Sequence, residues 1–187
     1  APQLARLHGL WGLGQIARTQ PAARARIAEL LIDSDVEVRA HAARLVGDGR
    51  MAPAADRLVP LLKDSSPRVR MWAALSLGKL QHQPAATAIL EMLKDVSDDA
   101  YLRHGAVMGL VGTATPDVLH AHAKDSDRNV RLGVLLAERR NKDPQIVSFL
   151  QDSDPQLVVE AARAINDLPI PEAYPALARV LERARTL

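Results

Sequence analysis

The sequence predicts an all-α fold built from about six tandem helix pairs, and three observations favour it. Ala and Leu, both strong helix formers, make up 58 of the 187 residues. Only 3% of the residues are aromatic, so the core must be assembled from small aliphatic side chains, which suits closely packed helices. The third observation is a motif that recurs every 27 to 33 residues along the chain.

The motif is clearest in two stretches that align without a gap, at residues 33–47 (DSDVEVRAHAARLVG) and residues 64–78. Both stretches begin with Asp-Ser, continue with Val-Arg and Ala-Ala at the same offsets, and end on Gly. Further copies keep the arginine of Val-Arg or replace it by valine, at Arg6, Arg103, Arg131 and Val158. Successive anchors are 33, 31, 33, 28 and 27 residues apart. Repeats of this length are typical of helix pairs that stack on their neighbours.

Each repeat is predicted to contain two helices, called A and B. Each A helix begins near a proline, which lacks the N–H that stays unpaired at the first helical position; these are Pro21, Pro53, Pro84, Pro116, Pro144 and Pro171. Each later B helix carries the motif and follows an N-cap candidate, namely Asp35, Ser66, Asp99, Asp127 or Asp154. Gly47 and Gly78 are C-cap candidates. The predicted order is one B helix, five A–B pairs and a last A helix.

The recurrence of Asp, Val-Arg, Ala-Ala and Leu-Gly in register resembles the HEAT repeat, in the short variety known from phycobilin-lyase-type proteins. This resemblance covers nearly the whole chain. It implies a right-handed α-solenoid of HEAT-like helix pairs, and such solenoids mostly serve as scaffolds. We expect residues 1–187 to form a single repeat domain, with a truncated repeat at each end, cut from a longer protein.

Three segments carry a narrower resemblance, at residues 6–14 (RLHGLWGLG), 101–104 (YLRH) and 160–167 (EAARAIND). They are similar to the helical segment of large exported bacterial proteins that join a β-propeller dehydrogenase-like domain, a HEAT-like solenoid and a c-type haem domain. This resemblance alone implies a periplasmic or exported location and an accessory role beside an oxidoreductase. The sequence contains no Cys, so any haem-linked redox chemistry belongs to other parts of such a protein.

The arginines of the motif fall on the buried arc of the B helices, where an unpaired charge is costly. The HEAT resemblance supplies the partner, an aspartate six residues before the arginine, so that adjacent repeats form an Asp–Arg ladder. Pairing each arginine with the aspartate of the following repeat leaves the fewest charged side chains without a partner. The predicted pairs are Arg6–Asp33, Arg39–Asp64, Arg103–Asp125 and Arg131–Asp152. Arg70 faces Ser97 and lacks an acidic partner. We expect the ladder to be structural.

The opposite arc of the B helices carries bulky side chains where Lys and Glu would be usual. Its members are Trp11, His41, Arg44, Trp72, Leu75, Met108 and Leu136, and Gly105 and Gly133 fall on the same arc. The HEAT resemblance places this row on the concave side. Exposed apolar surface usually marks an interaction site, and Trp is over-represented at binding hot spots. Two interpretations stay open: a groove for a protein segment or an adjacent domain, or side chains that fill gaps between helices.

The sequence indicates no catalytic residue, metal site or cofactor in this segment. His120 and His122 lie about 200° apart around a helix, so they cannot share one metal ion. The recurring Asp-Ser-Asp lacks the glycine and the final glutamate of a calcium loop. No phosphate-binding loop, nucleophile elbow or zinc-protease helix occurs. The longest apolar runs are also too short for membrane insertion.

Nucleic acid is the alternative partner, because some short HEAT-like proteins grip DNA in the concave groove. Trp11, His41, Arg44 and Trp72 would take that role here. Against it, the net charge is only +2, the ladder occupies most motif arginines, and phosphate binding needs several free cations along one track. The sequence therefore predicts a non-catalytic interaction scaffold, with a DNA-binding module as the alternative.

Overall fold

A computed structural model describes residues 2–184, with side chains described as far as Val180. Every regular element within these residues is helical, which confirms the all-α prediction. The predicted domain, residues 1–187, also includes Ala1 and residues 185–187, which lie outside the described part of the chain.

The helices follow one another in alternating long and short elements. In chain order they are α1 (Gln3–Ile16), α2 (Pro21–Glu29), α3 (Val36–Asp48), α4 (Ala55–Leu58), α5 (Pro67–Lys79), α6 (Ala86–Lys94), α7 (Ala100–Thr113), α8 (Pro116–His122), α9 (Arg128–Asn141), α10 (Pro155–Asp167) and α11 (Tyr174–Ala184). Short 3₁₀ segments flank or replace the A helices, at Leu30–Ile32, Ala52–Ala54, Val59–Lys63, Gln83–Ala85, Pro144–Gln151 and Pro171–Ala173. The B helices are α1, α3, α5, α7, α9 and α10, in the predicted order.

Aspartate side chains begin most B helices, as the sequence predicts. The carboxylate of Asp35 accepts hydrogen bonds from the backbone N–H groups of Glu37 and Val38, and Asp127 does the same for Asn129 and Val130. These bonds satisfy N–H groups that have no partner within the helix.

The N-cap residue of α5 differs from the aspartates, because the Ser66 side chain makes no capping hydrogen bond. Pro67 at the first position of α5 removes one of the N–H groups that would need a cap. Pro67 therefore partly replaces the capping hydrogen bonds that aspartate side chains make at the N-termini of other B helices.

The predicted buried arc starts at the residue before the motif arginine and continues four and eight residues later. It is buried in α3 and α5 but not in α1, where Ala5 and Gly9 at the same positions are exposed. In α3 the side chains of Val38, Ala42 and Val46 are buried, and in α5 those of Val69 and Ala73 are buried in the same register. These positions are separated by four residues and so lie on one side of the helix. Small alanines on this arc keep the helix axes close to the elements that cover them.

Gly47 and Gly78 do not cap helices, so this part of the prediction is wrong. Both lie inside their helices, which end at Asp48 and Lys79. A Cβ atom on Gly78 would lie 2.5 Å from the carbonyl oxygen of Met108 in α7. These glycines are present because the backbone of the next B helix comes too close for a side chain.

Three glycines of α7, Gly105, Gly109 and Gly112, form the other half of this close approach. A Cβ atom on Gly105 would meet the Met71 side chain at 2.8 Å, and one on Gly112 would meet the Gly78 carbonyl oxygen at 2.1 Å. The spacing of four and three residues puts all three on one side of the helix. Gly105 is therefore buried against α5, and the expectation that its arc is exposed fails in this repeat; Gly133 of α9 is buried as well.

The chain divides into two compact units, one within residues 1–113 and one within residues 114–187. The first unit contains α1 to α7 and buries large side chains such as Ile27, Leu58 and Leu77. The second contains α8 to α11 and buries Leu119 and Phe149. The single domain expected over residues 1–187 stays a prediction.

Candidate interaction surface

Three of the predicted Arg–Asp pairs are present, each between consecutive repeats of one unit. Arg39 holds Asp64 with two parallel bonds, Nε to Oδ2 at 2.9 Å and Nη2 to Oδ1 at 3.0 Å. Arg131 holds Asp152 in the same way, at 2.8 and 3.2 Å. Arg6 pairs with Asp33 through Nη2. Paired geometry of this kind is strong and directional.

The third nitrogen of Arg39 and of Arg131 bonds the loop of its own repeat. Nη1 of Arg39 donates to the carbonyl oxygen of Asp33 at 2.8 Å, and Nη1 of Arg131 donates to that of Asp125 at 3.0 Å. Burial alone would raise the pKa of Asp64, but the hydrogen bonds from Arg39 and the Ser66 backbone, with the Arg39 charge, lower it. The ladder therefore ties two repeats and one loop together.

The ladder is incomplete where the sequence lacks an aspartate. The Nε atom of Arg70 is buried and has no hydrogen-bond partner among the described residues. Ser97 stands where the other repeats have Asp and adopts a left-handed backbone, with φ of 48°. The predicted pair of Arg103 with Asp125 would join residues of the two units and stays a prediction.

The stripe of bulky side chains begins with three rings in contact at the surface of α1 and α3, one pair stacked and the other edge to face. Trp11 is 45% exposed, and its ring lies 5.1 Å from that of His8 and 5.7 Å from that of His41. Its indole N–H donates to Nδ1 of His41 at 3.4 Å. The side chain therefore bridges two neighbouring B helices and still presents a large area to solvent.

The stripe continues between α3 and α5 with a cation–π contact. The guanidinium carbon of Arg44 lies 4.9 Å from the centre of the Trp72 ring. Trp72 and Leu75 are half-buried, as is Met108 of α7. The sequence left open whether these side chains form a binding groove or fill gaps between helices. The structure agrees with both, because they pack between helices and remain partly accessible. Leu136 belongs to the second unit and is half-buried there.

A cavity of about 540 Å³ adjoins Trp11 and His41, between the C-terminal parts of α1 and α3. The described residues that line it include four arginines and a single acidic residue, Asp48. Arg44 is the only one of the four that the sequence places in the stripe. The other three, Arg18, Arg24 and Arg50, lie in loops or on an A helix, where the helical-wheel argument for the B helices makes no prediction.

Among the described residues of the second unit, Glu138 of α9 is the one fully buried carboxylate. Neither carboxylate oxygen has a hydrogen-bond partner among the described residues. Burial, followed by the charge of Asp143, raises the pKa of Glu138 to about 7, and the charge of His120 opposes the shift. His120 Nε2 lies 2.9 Å from Asp143 Oδ2, so these two groups are paired with each other.

In the part of the chain that the structure describes, no group of three or more His, Asp or Glu side chains is arranged to hold a metal ion. None of the described helices combines the length and the apolar character needed to cross a membrane.

Comparisons with known proteins agree with this architecture. Residues 23–111 match the family model of HEAT repeats. The structure is similar to the complex of CpcE and CpcF of phycocyanin lyase from Nostoc sp. PCC7120, with 20% identity and a TM-score of 0.59 over 88% of this chain and 72% of that chain. It is also similar to an archaeal HEAT-like repeats protein from Thermococcus onnurineus NA1, with 14% identity and a TM-score of 0.57. This match covers 85% of this chain and 75% of that chain.

No curated protein sequence matches the chain. At the identities found, the likeness to solved structures concerns the fold alone. The chain therefore has the helical-repeat fold of HEAT-like solenoids, and residues 23–111 carry the sequence pattern of HEAT repeats.

Proposed function

We propose that the first unit is a non-catalytic scaffold that binds a protein segment on its B helices. The contact area, called the aromatic surface below, consists of Trp11, His41, Arg44 and Trp72. The observation that carries the proposal is the exposure of Trp11, at 45%, in a chain with only two tryptophans. Trp in such a position is the residue type most enriched at binding hot spots.

The aromatic surface is held in place before any partner arrives. Trp11 is packed against His8 and His41, and Trp72 against Arg44, so these side chains have little rotamer freedom left to lose on binding. The contacts of Trp11 with His41 and of Trp72 with Arg44 each join two successive B helices. The surface therefore exists only in the folded repeat and has the fixed shape that a recognition site requires.

Two finer predictions from the sequence stay proposals. One is the source of the partner, for which the sequence leaves a protein segment and an adjacent domain of the same chain both open. The other is the exported, multidomain setting beside an oxidoreductase, which rests on the resemblance of residues 6–14, 101–104 and 160–167.

A phage-displayed library of random twelve-residue peptides, selected on the purified chain, tests the proposal. We expect synthetic copies of the selected peptides to bind at least tenfold more weakly to Trp11→Ala, since hot-spot truncations cost about 2 kcal/mol or more. Thermal unfolding of each variant checks that it folds. Tyr174→Ala in the second unit is the matched control, because Tyr174 is 44% exposed and lies outside the aromatic surface.

Failure to select any peptide, or equal binding by Trp11→Ala and the parent chain, would contradict the proposal. A gel shift with a DNA duplex of about 20 base pairs whose affinity falls steeply with salt would favour the DNA-binding alternative instead. If Trp72→Ala unfolds the chain, Trp72 is a core residue, and the result with Trp11→Ala decides the question.

A further inference from the structure

The cavity beside the aromatic surface carries a marked excess of positive charge. Arg18, Arg24, Arg44 and Arg50 line it, whereas Asp48 is the only acidic group in its described wall. Burial alone would raise the pKa of Asp48, but bonds from Lys79 and Arg44 lower it, so this carboxylate is ionised and already paired. The remaining arginines have no carboxylate in this wall to neutralise them.

Two of these arginines, Arg24 and Arg50, are held in position without being neutralised. Nε of Arg24 donates to the carbonyl oxygen of Ala17 at 2.8 Å, and Nη1 of Arg50 donates to that of Lys79. A carbonyl oxygen orients a guanidinium but carries no net charge, so both cations keep their full charge. The side chain of Arg18 has no hydrogen-bond or ion-pair partner within the part of the chain whose side chains are described.

His41 lies in the same positive environment, on the wall beside Trp11. Burial lowers its pKa first, and the charges of Arg68 and Arg44 lower it further, although Glu37 acts in the opposite direction. The imidazole is therefore kept neutral near pH 7 and leaves the cavity's recognition of charge to the arginines.

We propose that this cavity receives an aspartate or glutamate side chain of the protein segment bound at the aromatic surface. Planar guanidinium groups match a carboxylate with two parallel hydrogen bonds, and three unneutralised arginines around one cavity favour such an anion strongly. Trp11 at the rim supplies an apolar contact for the neighbouring residue. The inference rests on the proposed function and names the chemistry of its partner.

A protein carboxylate fits the distribution of charge better than a nucleic acid. DNA presents a phosphate about every 3.4 Å along each strand and is gripped by cations arranged along a track. Here the unneutralised cations surround one cavity of about 540 Å³ at one end of the first unit. Further along the stripe, the side chains are Leu75 and Met108, which offer nothing to a phosphate.

The selected peptides, resynthesised with Asn or Gln in place of Asp or Glu, provide the test. We expect each binder to contain an acidic residue whose neutralisation weakens binding about tenfold or more. Arg18→Gln should weaken binding of the acidic peptide by a similar factor and should abolish the difference between it and its neutralised copy. Arg18 is the variant of choice because its side chain has no native contact with a described polar group to lose.

Arg57→Gln is the matched control, since Arg57 is also an exposed arginine without a described partner and does not line this cavity. It should leave the affinity within about twofold of the parent value. Raising NaCl from about 50 to about 500 mM should weaken the acidic peptide more than its neutralised copy.

The possible outcomes separate the two proposals. If peptides bind through Trp11 but contain no acidic residue, or are unaffected by Arg18→Gln, the anionic partner is refuted and the scaffold function stands. If no peptide binds, or if the DNA duplex binds in an Arg18-dependent manner, both proposals fail.

Discussion

Gly112→Ala is expected to destabilise the first unit by about 2–3 kcal/mol, the upper part of the range for overpacked interiors. The new methyl carbon would lie 2.1 Å from the carbonyl oxygen of Gly78 and 2.6 Å from its carbonyl carbon. These are backbone atoms of a packed helix, so no side chain can rotate away. Relief requires α5 and α7 to separate, which opens the row of contacts at Gly105 and Gly109 as well.

The measurement is a urea titration followed by tryptophan fluorescence. Both tryptophans, Trp11 and Trp72, belong to the first unit, so the signal reports that unit alone. A midpoint at lower urea with an unchanged slope is the expected result.

Gly9→Ala is the matched control for this substitution. A Cβ atom on Gly9 would meet nothing within 4 Å, so alanine there should stabilise α1 by up to about 1 kcal/mol through its higher helix propensity. Equal effects of the two substitutions would show that the close approach of α5 and α7 does not hold.

Glu138→Gln is expected to stabilise the chain at pH 8 by about 3 kcal/mol and to change little at pH 5. The folded state raises the pKa of Glu138 from 4.5 to about 7, so it binds a proton more tightly than the unfolded state does. The contribution of Glu138 to the free energy of unfolding is therefore most favourable below pH 4.5 and is lost as the pH rises through 7. The magnitude follows from about 1.36 kcal/mol for each unit of pKa difference.

Chemical unfolding followed by circular dichroism at pH 5, 6, 7 and 8 checks this prediction. Other groups titrate in the same range, including His41 with its lowered pKa, so the informative quantity is the difference between the two profiles. Glu160→Gln is the control, because Glu160 is partly exposed and paired with Arg139 at 2.7 Å. Parallel profiles for Glu138→Gln and the parent chain would mean that Glu138 is ionised in the folded state.

The repeated motif predicts the helix order, the buried arc and the Arg–Asp pairing because each depends on spacing within a repeat. The same arithmetic places Glu138 on the buried arc, eight residues after Val130, which is the position that Val46 and Leu77 occupy in other repeats. A glutamate at an apolar position is thus a signal that the sequence already contained.

Other features cannot be predicted from the spacing of residues within a single repeat. The contact of Gly78 with Gly112 depends on how closely two helices approach, and a glycine near a helix end is equally typical of a C-cap. The basic cavity combines residues from α1, α2, α3 and the loops after α1 and α3, including Arg50 in a left-handed conformation. Its composition follows from three-dimensional packing rather than from periodicity.

Successive B helices of the first unit are held together by ion pairs and by close packing at glycines. These two kinds of contact respond differently to acid, which sets the order in which the helices separate. Ion pairs through Asp33 and Asp64 link α1 to α3 and α3 to α5, and the second link also has the close approach at Gly47. Between α5 and α7 the glycine contacts remain, but Arg70 has no acidic partner among the described residues. Both aspartates have lowered pKa values, so their contribution is lost only as the pH falls below 3.8. Acid should therefore fray the unit from α1 inward and leave α5 and α7 closed longest, a gradient that amide hydrogen exchange resolves helix by helix.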